Sequence, residues 1–258
     1  MTASAFGLFT GERALVTGSA SNIGRAIAEA LAREGAHVVL ADIDPSRNAA
    51  TEEAIRAAGG SCEALTADLS RKDAWKEVAA AVAGQDISMF VHSASPPRKE
   101  SDNVLELSED IFDGMLTVNV RSGFFLAREL AQRMRAKGIK GRMLFVTSLH
   151  AESPRNLPHY SASKAGQTMI VKELARTLGP DGIRVNAIAP GAIPGGGFNA
   201  GAFDFSGKIP LGRLGNAEDL AGPAVALLTD RFTRYVTGTT LVVDGGIALF
   251  NWIKPTWA

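Results

Sequence analysis

Apolar positions along this chain fall into two alternating patterns. Short, mostly apolar and β-prone runs recur at 14–17, 37–41, 62–66, 87–91, 141–147, 183–188 and 239–243. Between them lie longer stretches in which apolar and polar positions mix at helical spacing, at 25–33, 46–58, 71–83, 109–137, 161–178 and 218–228. Glycine and proline punctuate the boundaries, with Gly59-Gly60 after the second of these stretches and Gly179-Pro180 after the fifth. The short runs predict strands and the longer stretches predict helices. Regular alternation of the two predicts an α/β protein: one doubly wound parallel sheet of seven strands, helices on both faces, in a single domain over 1–258. The segment 192–215 is rich in glycine and phenylalanine with weak periodicity, and it predicts a lid over a substrate. Two residues are odd inside the long helix 109–137. Asn119 is poorly suited to a helix interior, and Gly123 costs roughly 1 kcal/mol there against alanine. A close neighbour would account for Gly123, and a polar task such as holding a water for Asn119.

Composition narrows the class of partner. With 258 residues, 46% hydrophobic and 21% charged, the chain has an ordinary globular balance. Lys plus Arg and Asp plus Glu both number 27, so net charge gives no general reason to expect nucleic acid or an anionic membrane. Cys62 is the sole cysteine, which leaves no internal disulfide and no cysteine-based zinc site, and no metal is expected. A lone cysteine fits a reducing cytoplasm. No signal peptide and no membrane span is expected, because no apolar stretch approaches about 20 residues.

The carboxyl ends of the predicted strands carry most of the candidate chemistry. The run 14–17 leads into Gly18-Ser19-Ala20-Ser21-Asn22-Ile23-Gly24 and then an alanine-rich helix. Strand, glycine turn and helix are the context that gives such a motif meaning. Gly18 permits a tight turn, Gly24 allows the helix to pack on the sheet, and the amides at the helix start face a pyrophosphate. Asn22 stands where the usual pattern has its middle glycine. Asp42 ends the second strand, where a carboxylate accepts from both ribose hydroxyls of adenosine and repels a 2′-phosphate, favouring NAD over NADP. Asp44 is the better candidate for capping the next helix. Asp68, His92, Ser148 and Pro190 fall at further strand ends, and ligands of such sheets bind along that edge.

Ser148, Tyr160 and Lys164 form the sharpest constellation. Tyr160 and Lys164 are four residues apart and share a helix face. A phenol is a poor base at neutral pH, and a fixed ammonium beside it favours the phenolate. A hydroxyl such as Ser148 would hold an alcohol or carbonyl oxygen against it, completing a proton-transfer site.

Taken together, Thr17-Gly18 with Ile23-Gly24, Asp42, Asp68-Leu69, Val118-Asn119, Ser148, Tyr160-Ser161-Ala162-Ser163-Lys164, Ile183-Arg184-Val185-Asn186, Pro190-Gly191 and Asp244-Gly245-Gly246 resemble the short-chain dehydrogenase/reductase family over essentially the whole chain. The resemblance implies a Rossmann-type fold, a nicotinamide cofactor and a catalytic tetrad of Asn119, Ser148, Tyr160 and Lys164. It implies cofactor contacts from Gly18, Ser21, Asn22, Ile23, Asp42, Asp68, Leu69, Ser93, Ala94, Tyr160, Lys164, Pro190, Gly191 and Ile193, and assembly as a homotetramer through the helices at 109–137 and 161–178. Ser148 rather than Thr147 is chosen because Ser148-Leu149-His150 resembles the Ser-Val-His of bacterial glucose-type sugar 1-dehydrogenases. His92-Ser93-Ala94-Ser95 stands where the family has Asn-Asn-Ala-Gly, and Gly195 stands near the place of a usual threonine.

The expected reaction is oxidation of an aldose at C1, or of another secondary alcohol, with NAD. His150 and His159 are candidates to bond substrate hydroxyls. Arg98, Arg155, Lys208 and Arg213 lie on segments that can reach the pocket; if two of them do, an anionic sugar fits, and otherwise all four are solvated surface charges. Two other readings stay open: a ketone or 3-oxoacyl reductase of the same family, and a catalytically silent NAD-sensing regulator. Trp252 and Trp257 are candidates for a subunit interface or for core packing.

Overall fold

A computed structural model describes residues 6–98, 103–195, 201, 205 and 207–249. Trp252 and Trp257, and much of the expected lid, lie outside the described residues. Seven strands form one sheet: β1 (Arg13–Thr17), β2 (His37–Asp42), β3 (Ser61–Thr66), β4 (Ile87–His92), β5 (Arg142–Val146), β6 (Arg184–Pro190) and β7 (Thr240–Val243). All pairings are parallel, in the order β3-β2-β1-β4-β5-β6-β7. The order reverses between β1 and β4, and a crevice opens there beyond the strand ends.

The strands read as unbroken apolar runs because both faces are covered. Successive residues point to opposite faces. Leu15, Val39, Phe90, Phe145 and Val185 join one buried layer, while Val16, Leu40, Val91, Leu144 and Ile188 join the other. The first layer packs under α3 (Ala74–Ala81), α5 (Gly123–Lys137) and α6 (Pro158–Leu178), through residues such as Val78, Leu130 and Leu174. The second packs under α1 (Asn22–Arg33), α2 (Pro45–Ala57) and α7 (Glu218–Leu228), through Ile27, Ile55 and Leu220.

The long helix predicted over 109–137 is not uniform. It runs as α4 (Glu109–Leu116), a π-helical stretch Thr117–Ser122, and then α5. Asn119 sits inside the π stretch, and Gly123 follows it directly. The neighbour that Gly123 makes room for is His92: a Cβ at Gly123 would stand 2.6 Å from the imidazole Cδ2. The helix carrying Tyr160 begins earlier than its polar-apolar pattern indicates, with Pro158 in its first turn, where proline is well suited. Asp44 caps α2 as expected, accepting from the Arg47 amide at 3.0 Å.

Candidate active site

The crevice is a cleft of about 1160 Å³ running along the carboxyl edge of the sheet. At one end its floor is main chain. Gly18 has φ +72° and lies against the Ser93-Ala94 backbone, where an added Cβ would meet Ala94 N at 2.6 Å. A Cβ on Gly24 would stand 1.9 Å from the Gly18 carbonyl oxygen, so α1 packs onto the turn only because that residue is glycine. Asn22 adopts φ +49°, and asparagine is among the few non-glycine residues that tolerate this region. That explains how the loop keeps its path without its middle glycine. Asp42 closes this end: one carboxylate oxygen accepts from the Ala20 amide at 2.9 Å and the other from the Asp44 amide at 3.0 Å. Asp68 accepts from the Ser70 amide and hydroxyl. Ser21, Ile23, Leu69, Ser93, Ala94, Pro190, Gly191 and Ile193 also line the cleft.

At the other end the wall is made of side chains. Ser148, Tyr160 and Lys164 all line it. Thr147 donates to the Ile188 carbonyl at 2.9 Å, which ties its hydroxyl into the sheet and supports Ser148 as the hydroxyl at the reacting end. The Ser148 hydroxyl accepts from the His150 amide at 3.2 Å. Lys164 lies 5.5 Å from the Tyr160 ring centre and donates to the Val146 carbonyl at 2.8 Å. Its pKa is pushed down to about 7, first by burial and then by the nearby Arg98 guanidinium. Asn119 is fully buried behind this wall and does not line the cleft. Its amide donates to Ser163 Oγ at 2.8 Å, and Ser163 in turn donates to the Tyr160 carbonyl at 2.7 Å.

The comparisons with known proteins agree with this geometry. Residues 18–248 match the family model described as "Enoyl-(Acyl carrier protein) reductase". The L-rhamnose 1-dehydrogenase (NAD(P)(+)) of Azotobacter vinelandii is 36% identical over 246 residues, covering 90% of this chain and 95% of that protein. The glucose 1-dehydrogenase of Gluconobacter oxydans is 34% identical, with 97% of each chain covered. The chain is a short-chain dehydrogenase/reductase. As such it is an oxidoreductase acting on alcohol groups. A solved structure from Beutenbergia cavernae with bound NADP is similar to this short-chain dehydrogenase/reductase, with a TM-score of 0.87 at 33% identity, covering 93% of this chain and 98% of that one.

The glycine cradle and Asp42 suit a dinucleotide, and this short-chain dehydrogenase/reductase brings most of the sequence-derived candidates to one cleft. Arg98, His150, Arg155 and Lys208 line it at the Tyr160 end. The Arg98 guanidinium carbon lies 4.7 Å from the Tyr160 ring centre, and the His150 ring stands edge-on to Tyr160 at 6.1 Å. Burial lowers the His150 pKa, and its Nδ1 is 3.0 Å from the Ser153 carbonyl oxygen. Besides Asn119, three candidates are not brought there. His159 is buried and off the cleft wall, because neighbours on a helix point roughly 100° apart and Tyr160 takes the cleft-facing direction. Arg213 is held instead in a two-pronged pair with Asp219 at 2.7 and 2.8 Å. His92, though at a strand end, turns its ring inward: Nδ1 lies 2.9 Å from Thr17 Oγ1 and Nε2 lies 3.2 Å from the Val118 carbonyl. The desolvated imidazole has its pKa lowered to about 3 and stays neutral. Gln167, not singled out in the sequence, donates to the Asn119 carbonyl at 2.8 Å. Its signal was its position, one helical step of three beyond Lys164 on the same face.

Proposed function

We propose that this oxidoreductase oxidises a sugar at C1, or a comparable secondary alcohol, with NAD as hydride acceptor. The observation that carries the reading is the joining of two halves in one cleft: a glycine cradle with Asp42 at one end, and Ser148, Tyr160 and Lys164 at the other. Its sugar dehydrogenase relatives support the substrate class. A nicotinamide, when bound, supplies the hydride acceptor. Tyr160 takes the hydroxyl proton at its phenolic oxygen, and Ser148 Oγ donates to the substrate oxygen as charge shifts there. The Lys164 ammonium, when protonated, favours the Tyr160 phenolate. Asn119 Oδ1, buried and accepting no hydrogen bond among the described residues, would take the water that carries the proton onward. The Asp42 carboxylate at the end of β2 supports NAD over NADP, because it would repel a 2′-phosphate on the adenosine ribose.

A second reading, reduction of a ketone or 3-oxoacyl group with NADPH, draws on the reductase description of the family model and on Arg47. That residue lines the adenosine end and lies 3.4 Å from Asp44. The test is reduction of NAD and NADP across aldoses, polyols and secondary alcohols, with Tyr160→Phe as control. NAD-dependent turnover of aldoses, lost in the variant, is the expected result; NADPH-dependent ketone reduction alone would favour the second reading. Among the described residues no helix is long and apolar enough to cross a membrane. We also read the protein as a cytoplasmic homotetramer. Exposed Val104, Leu105, Ile111 and Met169 on and beside α4 and α6 support such assembly, and light scattering would test it.

A further inference from the structure

The Tyr160 end of the cleft is positively charged, and its charges have a direction. Arg98, Arg155, Lys164 and Lys208 all line it, with His150 among them. Among the described residues the carboxylates on the cleft wall are Asp42, Asp44 and Asp68, which stand at or just beyond the ends of β2 and β3. Three strand spacings separate β2 from β5 and four separate β3 from it, so these acids lie roughly 14 Å or more from the strand that delivers Ser148.

Arg98 is the most informative of the group. It follows Pro96-Pro97, which hold the loop extended, and its guanidinium lies over the Tyr160 ring. Its Nη1 is buried and has no hydrogen-bond partner among the described residues. Stacking on a ring does not satisfy that N–H, and a buried donor without an acceptor costs about 1–3 kcal/mol or more. Arg98 also depresses the ionisation of both Lys164 and His150, and Arg155 acts on His150 as well. Two guanidinium groups therefore converge on the space beside His150. A pyrophosphate would not answer them, because its donors are the amides at the start of α1, at the other end of the cleft.

We propose that this end of the cleft is an oxyanion subsite, in which Arg98, flanked by Arg155 and Lys208, binds a carboxylate, sulfonate or phosphate carried by the substrate at the end remote from the carbon being oxidised. The planar guanidinium presents paired donors that match an oxyanion. Such an anchor fixes the substrate at two points, the anion at Arg98 and the reacting hydroxyl at Tyr160 and Ser148. It turns the general sugar oxidation proposed above into oxidation of an acidic sugar, and it rests on that reading for the identity of the reacting group.

The experiment compares sugars that differ only in the group at C6: glucose, glucuronate, glucose 6-phosphate and a glucose carrying a C6 sulfonate. Each is assayed for NAD reduction with the wild type, Arg98→Gln and Arg98→Lys. In parallel, glucuronate, sulfate and inorganic phosphate are titrated into each protein without nucleotide, with thermal stability as the readout. The expected result is a kcat/KM at least about 100-fold higher for one anionic sugar than for glucose, with that ratio falling about 100-fold in Arg98→Gln and partly recovered in Arg98→Lys. Which anionic sugar leads separates the planar carboxylate from the tetrahedral groups. Circular dichroism and NAD binding check that the variants fold. Equal use of glucose and its anionic partners, with anion stabilisation unchanged in Arg98→Gln, overturns the subsite and leaves the sugar dehydrogenase standing. Arg98-dependent anion stabilisation without turnover of any sugar keeps the subsite and sinks the dehydrogenase reading. Neither turnover nor anion stabilisation overturns both.

Discussion

The two ends of the cleft are built from different materials. The end under β1 and β2 is backbone: two glycines held within a Cβ's reach of neighbouring main chain, and an aspartate whose oxygens already bind two amides. The polar side chains behind it are satisfied among themselves, as where Ser19 donates to Asn48 and Asn48 to the Leu40 carbonyl. The end under β5 is side chain: Arg98, His150, Tyr160 and Lys164 reach in from a loop, a short turn and a helix. Here some donors and acceptors have no partner among the described residues, as at Arg98 Nη1 and Asn119 Oδ1. A backbone site is preformed and tolerates little change, whereas a site of open side chains is completed by its ligand and carries specificity.

Substitutions that damage one end and spare the other would sharpen this contrast. The largest effect is expected from Tyr160→Phe. Removing the proton-transferring oxygen should lower kcat by about 10²–10⁴-fold. Calorimetric NAD affinity should move by less than about tenfold. Loss of NAD binding on the same scale as kcat would show that the two ends do not act separately. Gly24→Ala is the converse. Its Cβ would sit 1.9 Å from the Gly18 oxygen, so the turn or α1 must shift, at a cost of about 1–3 kcal/mol in stability and a parallel loss of NAD affinity. Unchanged melting and NAD binding would mean that the loop yields cheaply and is not a rigid cradle.

Asp42→Ala should act at the nucleotide end alone. Relieving repulsion of a 2′-phosphate should raise the NADP-to-NAD ratio of kcat/KM about tenfold or more. Because the same carboxylate binds the Ala20 and Asp44 amides, some loss of NAD affinity should accompany the change. A wild type that already prefers NADP would remove the basis of the argument. A smaller, purely electrostatic effect is expected at the other end. Arg98 is one of two causes holding the Lys164 pKa down at about 7, so Arg98→Gln should move the Lys164 titration, followed by NMR, to higher pH. A shift to lower pH would contradict the placement of the guanidinium.

The same contrast governs what could be read before the fold was known. The backbone end was legible. Gly18, Gly24 and Asp42 lie close together in sequence, and each type has few alternatives at a tight turn, a close helix contact or a strand end. Tyr160 and Lys164 were legible because helical spacing alone puts them on one face. Other features depend on contacts between distant segments. The pairing of His92 with Gly123 spans two elements, and neither residue alone names its partner. His159 has the chemistry to bond a substrate hydroxyl, yet its position next to Tyr160 on a helix turns it away from the cleft. Arg213 resembled Arg98 as a loop cation until the fold placed Asp219 against it.

The π-helical stretch lets the least conspicuous of these contacts be tested. Two successive carbonyls there receive side-chain hydrogen bonds from different elements, Val118 from His92 on β4 and Asn119 from Gln167 on α6. Asn119 is thereby pinned behind Tyr160, so both residues position the site without touching a substrate. Gln167→Leu leaves a buried carbonyl without that partner, and should cost about 1–3 kcal/mol in stability together with a modest fall in kcat. Gln167→Glu would keep the shape but present an acceptor to a carbonyl, so it should be no better than leucine; full activity in either variant would free Asn119 from this control. His92 adds a pH signature. Its folded pKa lies near 3 and its ordinary value is 6.5, so between those limits the unfolded chain binds the extra proton. Stability should therefore rise with pH across that window and be lost as pH falls from about 6.5 toward 3. In His92→Asn the unfolding free energy at neutral pH should be lower, because the imidazole's contacts are gone, but its decline into acid should be shallower. An equally steep decline in the variant would place the acid sensitivity in other groups and leave His92 a packing residue alone.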